Sequence, residues 1–94
     1  MATYYMFGKY TPEALKGIGA NRTKEASGII QKLGGKILSM HALIGNYDLV
    51  LVVQLPGTEQ LVKASLALTK LSGISFSTSE ALSVEQFDQL SAGI

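Results

Sequence analysis

The side chains of this chain best suited to chemistry are one histidine, one arginine and an aspartate at a glycine turn. His41 is the sole histidine. A neutral imidazole can take up a proton near neutral pH if a partner orients it, and Tyr47 and Asp48 are the nearest candidates. Arg22 is the sole arginine, and its planar fork could clamp an anionic group. It follows Gly17-Ile18-Gly19-Ala20-Asn21, whose backbone N–H groups could face an anion at a helix start. That run has neither the dinucleotide fingerprint nor the Lys-Ser/Thr ending of a phosphate loop. Tyr4, Tyr5, Phe7 and Tyr10 crowd the N-terminus and could stack on bases or on a flat ligand. A basic residue before Gly-aromatic-Gly, the mark of an RNA-binding strand, is missing. The candidate ligand-binding set is therefore His41, Tyr47, Asp48, Arg22, Tyr5 and Phe7.

Each candidate also has a plainer reading. His41 would be a hydrogen-bonded residue at a sheet surface or interface. Asp48 would accept backbone N–H bonds that fix its turn, as Asp commonly does. Arg22 would sit on a loop over the sheet edge. The aromatics would pack in a core or an interface.

Composition narrows the field. The chain has 94 residues, 47% of them apolar, and a formal net charge of +1. A single domain of that length buries about two-thirds of its unfolded surface. Apolar content this high favours association. Seven of the eight bases are Lys and none cluster, so no nucleic-acid footprint is expected. The chain has no cysteine, which excludes disulfides, thiolate chemistry and Cys-based metal sites. Neither a metal nor another cofactor is expected. No signal-peptide pattern or membrane span is read, and the expected location is the cytoplasm.

The elements that must position these residues follow from punctuation and period. Thr3 to Tyr10 reads as a strand, with Gly8 marking a bulge or a close backbone approach. Thr11-Pro12-Glu13 starts a short helix. Gly17, Gly19 and Asn21 break it, predicting a kinked loop over residues 17–22 and a longer helix from about Thr23 to Leu33. Ala26, Ile29, Ile30 and Leu33 form its inner stripe. Gly34-Gly35 stops it. Strands follow at Lys36 to Ile44 and Tyr47 to Leu55, joined by a two-residue turn at Gly45-Asn46. A second long helix runs from Glu59 to about Leu71 with Leu61, Val62 and Leu66 inward, widened by Ala64, Ala67 and Leu68. Ile74 to Leu82 is the fourth strand. Ser83 and Gln86 form a capping box for a C-terminal helix over residues 83–92, with Phe87 and Leu90 facing inward.

The order β-α-β-β-α-β plus a helical tail predicts one α+β domain over residues 1–94. It is the ferredoxin-like arrangement, a four-stranded antiparallel sheet with helices on one face. Alternation makes both faces apolar. The third strand puts Tyr47, Leu49, Leu51 and Val53 on one face and Asp48, Val50 and Val52 on the other. The first puts Tyr5, Phe7 and Lys9 opposite Tyr4, Met6 and Gly8. His41 would share a face with Ile37, Ser39 and Leu43. An apolar face without helices calls for a partner, most simply a second copy packed sheet to sheet.

Gly45-Asn46-Tyr47-Asp48-Leu49-Val50 resembles the sequence that gives the GYD-domain family its name. The likeness extends to Lys32-Leu33-Gly34-Gly35-Lys36, to the Gly17 break with Arg22 and Glu25-Ala26, and to Val84-Glu85-Gln86-Phe87-Asp88. The resemblance implies a small bacterial-type protein with the dimeric α+β barrel or ferredoxin-like fold and no established activity. It also implies a fold similar to the effector-binding domains of leucine-responsive regulators, here without a helix-turn-helix.

Three functions fit. The first is a homo-oligomeric small-ligand-binding or regulatory module. The second is a cofactor-independent monooxygenase or isomerase with His41 as base, oriented by Tyr47 or Asp48. The third is an adaptor that docks on another protein.

Overall fold

A computed structural model describes residues 1–94. The order is β1 (Ala2–Lys9), α1 (Pro12–Lys16), α2 (Ala20–Lys32), β2 (Lys36–Ala42), β3 (Leu49–Leu55), α3 (Thr58–Ser72), β4 (Ser75–Ala81) and α4 (Val84–Ala92). The strands form one antiparallel sheet in the order β2-β3-β1-β4. The ferredoxin-like arrangement is thus present, with α2 and α3 against one face.

Local chemistry explains most boundaries. Thr11 caps α1 by accepting the Ala14 N–H at 3.1 Å, and Pro12 occupies the first helical position. The break after it spans only residues 17–19, because α2 begins at Ala20 rather than near Thr23. Asn21 and Arg22 lie in the first turn, where N–H groups have no intrahelical partner to lose. Gly34 ends α2 with φ +82°, while the Gly35 N–H reaches back to the Ile30 carbonyl at 3.1 Å. This closure satisfies carbonyls that the last turn would leave unpaired.

The core lies between the helices and the sheet. Met6, Ile30, Val53, Leu55 and Ala64 are fully buried there, with Tyr4, Leu51 and Leu68 nearly so. Ala26, Ile29 and Leu33 pack beside Ile30, so the expected α2 stripe holds. On α3 the inward stripe is Leu61, Ala64 and Leu68, spaced i, i+3, i+7. Val62 and Leu66 point to solvent instead, 51% and 59% exposed, because they sit on the helix flank. Gly8 is a point of close approach: a Cβ there would lie 2.8 Å from Ile74 and 3.1 Å from Phe76.

Three expectations fail in informative ways. The β2–β3 connection is wider than a two-residue turn, closed by the Leu43 N–H on the Asp48 carbonyl at 2.8 Å. Gly45 alone takes positive φ there, and Asn46 does not. In β2 the register slips between Ile37 and Ser39, leaving Leu38 as a bulge. Ile37 therefore pairs with Val53 on the helix side, while Ser39 and His41 pair with Val52 and Val50 on the open side. The bulge thus separates His41 from Ile37. Third, α4 buries none of its residues. Phe87 and Leu90 are 64% and 62% exposed, not inward. The Ser83 cap does form, accepting the Gln86 N–H at 3.1 Å. The helix forms, but its apolar stripe stays largely exposed.

Candidate functional site

The six candidate residues do not converge on one place. They divide between the open face of the sheet and a cavity on the helix side.

On the open face, cross-strand rows set the pattern. One row reads His41, Val50, Phe7, Ser77, and the next reads Ser39, Val52, Tyr5, Ser79. Each row is apolar at its centre and polar at its ends. Tyr5 and Phe7 stack with centroids 6.5 Å apart. Tyr47 joins them, its ring 5.3 Å from that of Phe7. Alternation would have put Tyr47 on the helix side with Leu49. It lies before the first paired residue of β3, where strand alternation no longer governs direction. Tyr5 is 41% exposed although it sits at the centre of the sheet.

The cavity has a volume of about 190 Å³ and lies at the sheet end where β1 and β2 finish. The start of α2 and the end of α3 roof it. Ala26, Met40, Leu51, Leu68 and Phe76 line it, with Tyr10, Arg22 and His41 also on its border. Arg22 is held on two sides. One Nη1–H donates to the Ala14 carbonyl, and the guanidinium carbon stands 5.7 Å from the Tyr10 ring centroid. The His41 side chain is exposed and makes no hydrogen bond within the chain.

Asp48 sits at the seam between the two regions. Its Oδ2 accepts the Tyr10 N–H at 2.9 Å, and its own N–H donates to the Gly8 carbonyl at 2.9 Å. It ties the end of β1 to the start of β3, so its carboxylate and its N–H both serve the backbone. No cluster of three or more His, Cys, Asp or Glu is placed to hold a metal. No helix is long and apolar enough to cross a membrane.

Sequence reading missed the cavity because periodicity reports which side a residue faces, not whether the space is filled. One signal was available. The inner side of α2 carries small residues, Thr23 and Ala26, at its start and large ones, Ile30 and Leu33, at its end.

An antiparallel sheet with this strand order, helices on one face and a bare surface with an apolar centre on the other defines a ferredoxin-like α+β module. A solved structure shares the fold: the leucine response regulatory protein (LrpA) of Mycobacterium tuberculosis aligns with a TM-score of 0.58 at 8% identity. The alignment covers 87% of this chain and 51% of that one, so this chain spans about half its length. No curated protein has a matching sequence. The GYD domain family model matches residues 4–90, and the chain belongs to that family.

Proposed function

We propose that this protein is a self-associating small-ligand-binding or regulatory module, and that its open sheet face is where two copies meet. One observation carries the proposal: that face has an apolar aromatic centre ringed by polar residues. Tyr5, Phe7, Val50 and Val52 are bordered by Ser39, His41, Ser77 and Ser79. Protein interfaces have this anatomy, and a surface meant only for water does not need it. A fold shared with a response regulatory protein supports the regulatory half of the reading, though at 8% identity it transfers no ligand.

Area explains the role of α4. A four-stranded sheet about seven residues long presents a plane of roughly 450 Å². A standard interface buries about 800 Å² per partner. A nine-residue helix adds a footprint of roughly 130 Å² (~13 by 10 Å) on the copy it docks onto. Exchanged both ways, α4 brings the total near what is needed. Helices shorter than ~12 residues are marginal in water, so an α4 that buries none of its residues in its own chain gains most from a partner in another. The molecule measures 49 × 30 × 18 Å. Its radius of gyration of 14.3 Å exceeds the ~12.4 Å of a compact chain this long.

Catalysis is the weaker reading, because His41 makes no hydrogen bond to an orienting group and Asp48 is committed to Tyr10. Sedimentation velocity from 1 to about 100 µM tests the proposal. The wild type should sediment as a dimer. The double variant Tyr5→Lys, Phe7→Lys should be monomeric with unchanged circular dichroism. Removing residues 83–94 should raise the dissociation constant at least tenfold. A wild type that stays monomeric throughout would overturn the proposal.

A further inference from the structure

We infer that the cavity under α2 and α3 binds a small organic monocarboxylate, with its apolar body inside and its carboxylate on Arg22. The inference rests on the ligand-binding half of the proposed function and is independent of dimerisation.

Arg22 is the reason for an anion. The only ion pair in the molecule joins Lys63 and Glu59, so the partly buried Arg22 has no carboxylate partner. It also stands in the first turn of α2, the positive end of the helix dipole, where a cation is disfavoured. No acid occupies that turn, and Gly19 provides no side-chain cap. An unpaired cation is thus held where the helix itself opposes it. The Ala14 carbonyl and the Tyr10 ring hold the guanidinium in place but use one of its five N–H donors. The remaining donors keep the planar, forked geometry that matches a carboxylate.

The cavity sets the rest of the ligand. Its volume is about 190 Å³. An apolar cavity of about 150 Å³ in another protein stays dry and admits benzene. A body of about six to eight non-hydrogen atoms is therefore the size that fits. Ala26, Met40, Leu51, Leu68 and Phe76 offer it only apolar contact. A polyanion such as a phosphate ester is disfavoured, because the cleft just outside Arg22 sets Glu13 and Glu25 against Lys70 and so adds no net positive charge.

The test titrates benzoate and its neutral isostere benzamide into labelled full-length protein, followed by NMR. Benzoate should shift the methyl signals of Ala26, Met40, Leu51 and Leu68 saturably. Benzamide should bind at least tenfold more weakly. Arg22→Gln should bring benzoate down to the benzamide level. Ala26→Leu should abolish both responses, with thermal melting checking that it still folds. Equal affinities in the wild type, shifts centred on Tyr5 and Phe7, or no shift at millimolar benzoate would each overturn the inference. Failure here leaves the sedimentation result standing, and a monomeric wild type that still prefers benzoate would retain this site alone.

Discussion

The two faces of the sheet are built from the same strands and each has an apolar centre, yet they answer to different demands. Met6 and Val53 face α2 and α3 and are fully buried. Tyr5, next to Met6 in sequence, faces away and stays 41% exposed. Hydrophobicity alone does not separate them. What separates them is where the covering surface comes from: a helix of the same chain on one side, and on the other a surface the chain does not supply to itself. Side chains on the first face determine folding, and on the proposed reading those on the second determine association.

The largest effect expected lies on the covered side. A Cβ at Gly35 would collide with the Gln54 carbonyl oxygen and with Leu55. Backbone cannot yield as a flexible side chain does, so Gly35→Ala should cost about 3 kcal/mol or more. Urea unfolding would read this directly, and a loss below about 1 kcal/mol would show that the α2–β2 junction moves freely. Next comes the contrast itself. Met6→Ala should destabilise by roughly 2–4 kcal/mol, because it opens a cavity in a filled core. Phe7→Ala, one position along, should change unfolding of the monomer by less than about 1.5 kcal/mol and should chiefly raise the dimer dissociation constant. Equal stability losses at low protein concentration would erase the distinction between the faces.

A smaller effect is expected where the faces join. Asp48→Ala leaves the Tyr10 N–H without its acceptor and should cost about 1–2 kcal/mol. Hydrogen exchange at Tyr10 should quicken with it. The smallest is at the tail. Ser83→Ala removes the α4 cap and should cost about 1 kcal/mol of helix stability. Because α4 buries none of its residues in its own chain, this should appear as lost helicity in the monomer with little change in the global unfolding midpoint.

Much of the fold was legible in the residues. Thr11-Pro12, Gly34-Gly35 and Ser83 punctuate the chain by local chemistry, and local chemistry needs no knowledge of the rest of the molecule. The stripe of α2 was legible because one helix face meets one sheet. Readings failed where direction depends on pairing. Tyr47 lies outside the β3 ladder, His41 lies beyond a register slip, and the α4 stripe is apolar without saying which chain covers it. The candidate site was legible only as residue types. Arg22 stood out as the lone guanidinium, but its want of a counter-ion depends on where Glu13 and Glu25 end up. The cavity beside it is a missing volume, which no spacing of residues encodes.

The bulge at Leu38 has a consequence beyond the placing of His41. β2 is an edge strand, and a regular edge offers its free N–H and C=O groups to any chain able to add another strand. Such addition has no natural end and leads toward fibres. A bulge breaks the row of free groups and twists it out of line, so an incoming strand loses its register partway along. The opposite edge, β4, alternates serine with other residues and carries Glu80, a sequence poorly suited to stacking. Growth along the sheet is thereby obstructed at both margins. A contact made through the faces closes after two copies and leaves nothing further to propagate.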